Sequence, residues 1–339
     1  MNMHKIILLT AVCISLINFI QGGDNTEISI VPILGPFDLA EGPHWDENSN
    51  ILYFVDIHQQ KLYSWDSETN ELTYTFIKYG PVSVAVPIDG KENSYVVGSG
   101  TNLVEIYWNR HFNDTDPDVE IIRTVDSTRL YNRFNDGKVD PKGRFWAGTM
   151  AEHGNEYPPN QASLYKFDSD AKRSTMISPV SISNGLVWNH ANDTFYYIDS
   201  PQKKVFVFDY DNESGNISNQ RTLFDFVKYN ITGVPDGMTI DSTGNLWVAD
   251  NLGNGKVLQI DPSSGELLRI VDMPVTHVSS LAFGGPNKDI LYVTSAREGL
   301  EDEIKNQPYA GFVFAIYGLG VTGSPMLSYK LEDDIVFNK

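Results

Sequence analysis

Six short runs of aromatic and β-branched residues recur along this chain at nearly even spacing, and this recurrence limits the folds that the chain can adopt. Neighbouring runs start 43 to 51 residues apart. The runs are ILYFVDI from Ile51, SYVVGSG from Ser94, RFWAGTM from Arg144, TFYYIDS from Thr194, NLWVADN from Asn245 and ILYVTSA from Ile290. A period of this length is typical of β-propeller blades. A barrel or a sandwich would account for strands but not for six copies.

Each run belongs to a longer, strand-rich repeat. A second strand-like run follows most copies, as in KLYSWD from Lys61 and GFVFAIYG from Gly311. Alternation bounded by Gly, Asn, Asp and Ser predicts strands and hairpins, and no stretch shows a long helical period. We therefore predict an all-β protein in which residues 23–339 form a single six-bladed β-propeller domain. The last repeat has a weak fourth strand, and residues 28–34 are predicted to supply it and to close the ring.

The first 22 residues are predicted to be a secretory signal peptide. Lys5 is the only Lys, Arg, Asp or Glu before Asp24, an apolar run spans residues 6–20, and we place the cleavage near Gly22 and Gly23. A membrane span needs about 20 apolar residues, so the run is short for one, and a signal anchor is the alternative. The mature protein is thus expected to be secreted and not bound to a membrane.

Cysteine content and glycosylation motifs agree with secretion. Cys13 is the single cysteine and lies inside the predicted signal peptide, so packing rather than disulfides must stabilise the mature chain. Asn-x-Ser/Thr sequons are acceptors for N-glycosylation in secreted proteins. They occur at Asn113, Asn192, Asn212, Asn216 and Asn230.

The charge of the chain limits its partners. A formal net charge of −19 argues against a nucleic-acid partner, because such proteins present a basic surface. The acidity suits a protein that binds a cation or a small molecule, although acidity alone mostly serves solubility. We expect a monomer with a small-molecule substrate.

A short strand before each aromatic run is predicted to line the central channel. Each of these strands ends at a turn residue, and the residue five positions earlier is equivalent in every repeat. The equivalent residues are Glu41, Val84, Asn135, Asn184, Asp236 and Ser279. Side-chain alternation places them at one mouth of the channel, where four of the six supply carboxylate or amide oxygens.

Carboxylates and amides that converge on one small volume need a compensating charge, since like charges repel and raise each other's pKa. One divalent cation meets this need, and calcium, which prefers oxygen ligands, suits the set best. Zinc, manganese and magnesium are the alternatives, although neither paired cysteines nor clustered histidines favour a zinc site. A competing interpretation is that the Asn-Gly and Asp-Gly pairs merely form turns.

Long blocks of sequence surround these residues. They are AEGPHWD (residues 40–46), NRFNDGKVDPKGRFWAGTM (132–150), ISNGLVW (182–188) and VPDGMTID (234–241), followed by LAFGGPN, LYVTSAR and YGLGVTG. Together they resemble the senescence marker protein/gluconolactonase family, which includes regucalcin and the insect luciferin-regenerating enzymes. The resemblance implies a six-bladed propeller with one catalytic divalent cation in its channel.

The resemblance also implies roles for individual residues. Glu41, Asn184 and Asp236 are implied to be the metal ligands, and Asp236 also the catalytic acid or base. Arg133 and Asn135 are implied to bind the substrate.

One position departs from the family pattern. Family members that open sugar lactones carry a glutamate three residues after the Met of GTM, where this chain has His153, with Glu152 beside it. These two residues are candidates for the substrate pocket. The change argues against a polyol substrate, whose hydroxyls would lose an acceptor.

The chain is therefore predicted to be a metal-dependent lactonase that opens a lactone or a related ester. A cation that contacts the ester carbonyl would stabilise the oxyanion that forms on attack by water. The alternatives are a non-catalytic propeller that binds calcium or another ligand, and a propeller that binds proteins. No Gly-x-Ser-x-Gly motif supports a serine hydrolase. His44 is close to Glu41, but alternation turns it towards the opposite face of the strand, where packing or a turn is its expected role.

Overall fold

The recurrent aromatic runs each form the second strand of an antiparallel sheet, as the repeat predicts. The computed structural model describes residues 27–300 and 302–332, together with the backbone of residues 19–21. Six sheets follow one another along these residues, and the first strand of each sheet contacts the first strand of the next around a central channel. The prediction of a six-bladed β-propeller is confirmed.

The blades follow the order of the chain. The strands are β1 (Phe19–Gln21), β2 (Ile28–Leu34), β3 (Ala40–Asp46), β4 (Ile51–Asp56), β5 (Lys61–Asp66), β6 (Leu72–Phe76), β7 (Val82–Pro87), β8 (Ser94–Ser99), β9 (Asn102–Tyr107), β10 (Asp118–Thr124), β11 (Asn132–Val139), β12 (Phe145–Ala151), β13 (Ala162–Phe167), β14 (Arg173–Val180), β15 (Ser183–Trp188), β16 (Thr194–Asp199), β17 (Lys204–Asp211), β18 (Asn216–Asp225), β19 (Val234–Ile240), β20 (Leu246–Asn251), β21 (Lys256–Asp261), β22 (Glu266–Asp272), β23 (Val278–Gly284), β24 (Ile290–Ser295) and β25 (Val313–Tyr317). Blade 1 is β3–β6, blade 2 is β7–β10, blade 3 is β11–β14, blade 4 is β15–β18 and blade 5 is β19–β22. Blade 6 is β23–β25 with β2 and β1. Within the described residues helix is limited to a 3₁₀ turn at Ser200–Gln202.

Blade 6 is completed by the N-terminal strand β2, as predicted. β2 pairs antiparallel with β25, with Ser29 opposite Tyr317 and Leu34 opposite Val313. Joining the two ends of the chain in one sheet removes an open edge. Apart from β1, the predicted signal peptide and its cleavage point lie outside the described residues, so the signal peptide stays a prediction. No helix in the described part of the chain is long and apolar enough to cross a membrane.

The propeller has two faces, which carry different connections. We call upper the face with the segments that precede the inner strands, such as residues 126–131 and 226–233, and lower the face with the turns that follow those strands. Since the strands of a blade are antiparallel, the β4–β5, β12–β13, β20–β21 and β24–β25 connections also lie on the upper face. Of the five sequons, only that of Asn230 lies in an upper-face segment; those of Asn113, Asn192, Asn212 and Asn216 adjoin lower-face connections.

Every inner strand is interrupted by a register shift near its upper end. In β3 the shift lies between Glu41 and His44, and in β19 it lies between Pro235 and Met238. The four other inner strands, β7, β11, β15 and β23, carry equivalent shifts. An extra residue at such a bulge redirects the side chains beside it, so strict alternation does not hold across it.

The Asn184-Gly185 and Asp236-Gly237 pairs lie inside these bulged strands and do not form turns between strands. Gly185 and Gly237 follow Asn184 and Asp236 directly. A Cβ atom on Gly185 would lie 2.9 Å from the carbonyl oxygen of Asp236, and one on Gly237 would lie 2.1 Å from Ser280 Oγ. Glycine is needed here because neighbouring inner strands approach too closely for a side chain.

Buried aspartates hold the lower turns of blades 3 and 5. Asp140 Oδ2 accepts hydrogen bonds from Arg144 Nε at 2.6 Å, from Trp146 Nε1 at 2.9 Å and from the Tyr210 hydroxyl at 2.8 Å. Asp241 Oδ2 accepts the equivalent indole bond from Trp247 at 2.9 Å in blade 5. A carboxylate that satisfies several buried donors fixes the turn between an inner strand and the aromatic strand that follows it.

The C-terminal segment, residues 323–332, crosses the lower face. The backbone N–H of Trp45 donates to Met326 Sδ at 3.3 Å, and that of Tyr329 donates to the carbonyl oxygen of Pro87 at 2.9 Å. The Tyr329 side chain is fully buried. The segment therefore covers the lower end of the channel and leaves the upper end as the approach to the equivalent oxygen positions of the blades.

Candidate active site

Four side chains that the sequence assigns to one mouth of the channel lie together at its upper end. Glu41, Asn184 and Asp236 are buried, and Asn135 is half-buried. Asn135 Nδ2 donates a hydrogen bond to Asn184 Oδ1 at 3.1 Å. Glu41 and Asp236 lie close enough for the charge of one to act on the other, and Gly185 packs against the backbone of Asp236. The tertiary structure thus brings the predicted oxygen donors into one cluster.

Burial dominates the electrostatics of this cluster. It raises the pKa of Glu41 well above its usual range, and the negative charges of Asp236 and Asp136 raise it further. Burial also raises the pKa of Asp236 to about 7, although a hydrogen bond from Asn251 acts in the opposite direction. Burial and neighbouring negative charge disfavour the ionised form of these carboxylates unless a cation balances their charge.

Asp136 is a third buried carboxylate of the channel, and the sequence prediction missed it. Its Oδ1 accepts the Gly137 N–H at 2.7 Å, and burial raises its pKa to about 6. The alternation rule turns Asp136 away from the channel when Asn135 faces it, whereas the bulge in β11 allows both to line it. A signal was present in the sequence, since Asp136 precedes a glycine as Glu41 and Asp236 do.

The orientation of two oxygen donors is set by neighbouring polar side chains. Asn251 Nδ2 donates to Asp236 Oδ2 at 2.6 Å, and Asn184 Nδ2 donates to Ser200 Oγ at 2.8 Å. With its nitrogen engaged by Ser200, the Asn184 amide presents its oxygen to the cluster. Within residues 27–300 and 302–332, no group of three or more His, Cys, Asp or Glu side chains is arranged to hold a metal ion; the predicted ligand set counts an amide as its third member.

Arg133 is buried beside the oxygen cluster. Its Nη1 donates to Asn135 Oδ1 at 2.8 Å and to the carbonyl oxygen of Phe134 at 3.0 Å. Its Nε donates to Glu152 Oε2 at 2.5 Å. The guanidinium is therefore part of the site and not a surface cation, and its charge lowers the pKa of both Glu41 and Asp236 as a lesser effect than burial.

Glu152 connects Arg133 to two residues that the sequence did not suggest. His58 Nε2 lies 3.2 Å from Glu152 Oε1, and His58 Nδ1 lies 2.6 Å from Glu298 Oε2. Burial alone would raise the pKa of Glu152, but the hydrogen bonds and charges of His58 and Arg133 lower it to about 2. His58, Glu152 and Glu298 come from upper-face connections of three different blades, so only the closed ring brings them together.

His153 lies outside this network. Its side chain is exposed, and its ring lies against the ring of Tyr131 with 4.1 Å between centroids. Its backbone forms reciprocal hydrogen bonds with Glu156, which shape the β12–β13 connection. Of the two candidate pocket residues, Glu152 faces the site and His153 lies on the rim.

His44 lines the lower half of the channel, contrary to the expectation from alternation. The bulge after Glu41 turns its buried side chain towards two cavities, one of about 20 Å³ and one of about 320 Å³. The larger cavity also contains Lys138, whose Nζ donates to the carbonyl oxygen of Met238 at 2.7 Å, and it is bounded by the C-terminal segment.

Sequence comparison relates the chain to proteins of known family. A family model described as "SMP-30/Gluconolactonase/LRE-like region" matches residues 39–297. Regucalcin from Macaca fascicularis is 42% identical over 296 residues, which cover 86% of this chain and 94% of the relative. Human regucalcin is 41% identical over the same length, with the same coverage.

Two solved structures show the same architecture. A luciferin-regenerating enzyme superposes with a TM-score of 0.84 at 38% sequence identity, covering 89% of this chain and 99% of that one. A calcium-binding protein, regucalcin, from Agrobacterium tumefaciens superposes with a TM-score of 0.78 at 25% identity, covering 88% of this chain and 95% of that one. The agreement extends over almost the whole propeller.

Proposed function

The chain belongs to the SMP-30/gluconolactonase/LRE-like family, and we propose that it is a metal-dependent hydrolase that opens a lactone or a related ester. The observation that carries this proposal is the convergence of buried Glu41, Asp236 and Asn184 beside the Arg133 guanidinium. A buried site that combines carboxylates with the Arg133 guanidinium suits ester hydrolysis. A protein-binding role would not require polar side chains inside the channel.

The donor set fits a hard divalent cation. Glu41 and Asp236 are buried carboxylates whose pKa values are raised by burial, and Asn184 presents an amide oxygen. These three residues would hold the cation, and calcium accepts such oxygen ligands readily. Once bound, the cation would act as a Lewis acid on the ester carbonyl.

The protein's own groups would position the substrate. Arg133 is fixed by Glu152 on one side and by Asn135 on the other, so its guanidinium is preorganised to bind a carbonyl, ring or carboxylate oxygen. Asn135 is fixed in turn by Asn184. This arrangement requires little reorganisation when the substrate binds, which favours catalysis.

Asp236 would handle the proton of the attacking water. Asn251 occupies Oδ2, and Oδ1 would accept a hydrogen bond from the water and orient it. The water oxygen would form a bond to the carbonyl carbon as Asp236 takes one water proton, the ring C–O bond would break, and Asp236 would return that proton to the departing alkoxide. The products are a carboxylate and an alcohol on one chain when the substrate is a lactone.

The proposed function is tested with a panel of lactones and esters, followed by pH-stat titration in calcium buffer. We expect hydrolysis that EGTA abolishes and that added calcium restores. Asp236→Asn should lower kcat by about 10²-fold or more, as for the loss of a positioned acid–base group. The matched control is Asp89→Asn, an exposed residue at the lower turn of blade 2. Full activity of Asp236→Asn, or activity that chelator leaves unchanged, would contradict the proposal.

A non-catalytic cation-binding role is the second candidate. Glu41 and Asp236, together with the Asn184 amide, would bind calcium whether or not a substrate reacts, and one structural relative is described as a calcium-binding protein. Calorimetry separates the two roles: calcium binding that Glu41→Gln weakens, with no turnover of any lactone or ester, would favour the second.

We propose in addition that the protein is secreted. The support is the predicted signal peptide at residues 1–22 and the sequons. Asn113, Asn216 and Asn230 are exposed and Asn192 and Asn212 are half-buried, and Asn230 is the one that lies on the face of the site. Expression in insect cells, N-terminal sequencing of the medium and treatment with an N-glycosidase test this: a chain that stays intracellular and begins at Met1 would contradict it.

A further inference from the structure

Both carboxylate oxygens of Glu152 lie against cationic groups of the protein. Oε2 accepts hydrogen bonds from Arg133 Nε at 2.5 Å and from His58 Nε2 at 3.3 Å, and Oε1 lies 3.2 Å from the same His58 nitrogen. His58 is itself held on its other side by Glu298 at 2.6 Å. A substrate hydroxyl that approached Glu152 would have to compete with two cationic donors, and such charge-assisted hydrogen bonds are about twice as strong as neutral ones.

Aromatic and aliphatic side chains form the rim next to this ion-pair network. Leu130 and Tyr131, on the segment that leads into β11, are 86% and 46% exposed. Tyr131 is covered on one side by the His153 ring. Leu130 and Tyr131 directly precede Asn132 and Arg133, so this apolar surface adjoins the arginine that is proposed to bind the substrate.

The rim continues on the β12–β13 connection. Tyr157 is 52% exposed, and burial raises the pKa of its hydroxyl, with smaller effects from the charges of Glu152, Arg133 and Glu298. Tyr157 lies on the same connection as Glu152, five residues further along the chain, and its ring is half-exposed to solvent.

An apolar residue also lies on the opposite side of the mouth. Leu252, in the β20–β21 connection, is 63% exposed. Its N–H donates to Asn251 Oδ1 at 2.8 Å, and Asn251 Nδ2 binds Asp236. Leu252 is thus attached to the residue that orients the proposed catalytic carboxylate. Large exposed apolar side chains around a polar cleft mark a surface for a ligand.

From these contacts we propose that the site selects a lactone or ester that carries an apolar or aromatic substituent over a polyhydroxylated sugar lactone. The inference rests on the proposed function. The reacting ring lies against Arg133 and the oxygen cluster, and the substituent lies against Leu130, Tyr157 and Leu252. A polyol would instead expose its hydroxyls to apolar side chains and to a carboxylate that is already paired with two cationic groups, and it would lose water without regaining equivalent hydrogen bonds.

Three six-membered lactones test the proposal, namely δ-valerolactone, δ-decalactone and D-glucono-δ-lactone, which share one ring and differ in substituent. We expect kcat/KM to be about 10-fold higher for δ-decalactone than for δ-valerolactone, as for apolar groups received by a partly open pocket. D-glucono-δ-lactone, corrected for spontaneous opening, should have the lowest kcat/KM. A higher kcat/KM for the sugar lactone, or equal values for all three, would overturn the proposal.

Variants at the rim show whether these side chains cause the preference. Tyr157→Ser and Leu252→Ser should each reduce the ratio of kcat/KM for δ-decalactone to that for δ-valerolactone by about 3-fold, in proportion to the apolar area lost. Phe112→Ser is the matched control, because Phe112 is 68% exposed on the lower face. Unchanged ratios in both rim variants would overturn the assignment.

A failure of the proposed hydrolase function can be distinguished from a failure of the proposed substrate preference. If the enzyme opens none of the three lactones and no ester of the wider panel, the hydrolase proposal is wrong, and the preference is read instead from binding of the same three compounds by saturation-transfer NMR. Tighter binding of δ-decalactone that Tyr157→Ser weakens would then support the inference. Tighter binding of the sugar lactone would overturn it.

Discussion

The Nε atom of Arg133 donates a hydrogen bond to Oε2 of Glu152 at 2.5 Å, and the Nη1 atom of the same guanidinium reaches Asn135 Oδ1 at 2.8 Å. The arginine is therefore clamped on two sides in a buried place. A fork of this kind requires a planar group with several fixed donors, which lysine lacks.

Arg133→Lys should lower kcat/KM by about 10- to 100-fold, because one ammonium group cannot replace both bonds and a hydrogen bond to a charged group is worth about 1.5–3 kcal/mol. Steady-state kinetics on the best lactone of the panel measures this change. Arg129→Lys is the matched control, since Arg129 is on the same face and is partly exposed. The role of Arg133 would be refuted by a variant with wild-type kcat/KM.

The ion pairs of His58 should make stability depend on pH. Hydrogen bonds to Glu152 and Glu298 raise the pKa of His58 to about 9, from an ordinary value of about 6.5. A histidine with a raised pKa in the folded state contributes its full stabilisation below pH 6.5 and loses it as the pH rises through 9. Urea unfolding of wild type and His58→Gln should therefore differ most near pH 6 and least near pH 10.

A second histidine variant controls for general effects of pH. His111→Gln changes an exposed residue of the lower face and should show no such trend. A difference between wild type and His58→Gln that stays constant from pH 6 to pH 10 would show that the ion pairs contribute nothing to stability.

The hydrogen bonds of Asp140 should be important for stability. Asp140→Ala leaves the Arg144 guanidinium, the Trp146 indole and the Tyr210 hydroxyl without their shared acceptor. Breaking a buried charge pair costs about 3–5 kcal/mol. Urea unfolding should show a loss of this size, and Asp89→Ala, the equivalent but exposed position in blade 2, should change stability by about 0.5 kcal/mol or less. Similar losses for the two variants would contradict this account.

The closing strand should contribute to the stability of the whole ring. Ile30 in β2 is fully buried in a cluster that includes Phe314 and Ile316 of β25. Ile30→Ala should reduce the free energy of unfolding by about 2–5 kcal/mol, as for other truncations in a packed core. Ile121→Ala, at a half-exposed position of β10, is the control for the loss of the same atoms. A loss below about 1 kcal/mol would show that β2 packs only loosely.

The blades could be predicted from the order of residues because each blade repeats one pattern. The aromatic second strands, the turn aspartates such as Asp140 and Asp241, and the unpaired segment at residues 28–34 are all local signals. Counting from the turns also identified Glu41, Asn184 and Asp236 as one level of the channel. Repetition makes this counting reliable, because locating a position in one blade also locates the equivalent position in every other blade.

The sequence reasoning missed Asp136 and assigned His44 to the wrong face of its strand. Alternation with a period of two predicts which face a side chain occupies only while the strand pairing is regular. The bulges at the upper ends of β3 and β11 break that pairing, and they turn both residues into the channel. The glycines of these two bulges can be read from the sequence. The direction in which each bulge turns a side chain depends on the neighbouring inner strand, which the sequence does not show.

The sequence by itself determined the number of blades, the strand that closes the ring and the oxygen donors at the mouth, since each depends on local patterns that repeat. Only the tertiary structure decided that His58 meets Glu298, 240 positions away, and that both support Glu152 beside Arg133. These contacts join three blades, and their geometry exists only after the ring has closed. No local pattern of residues can encode a distance that the whole circumference of the propeller sets.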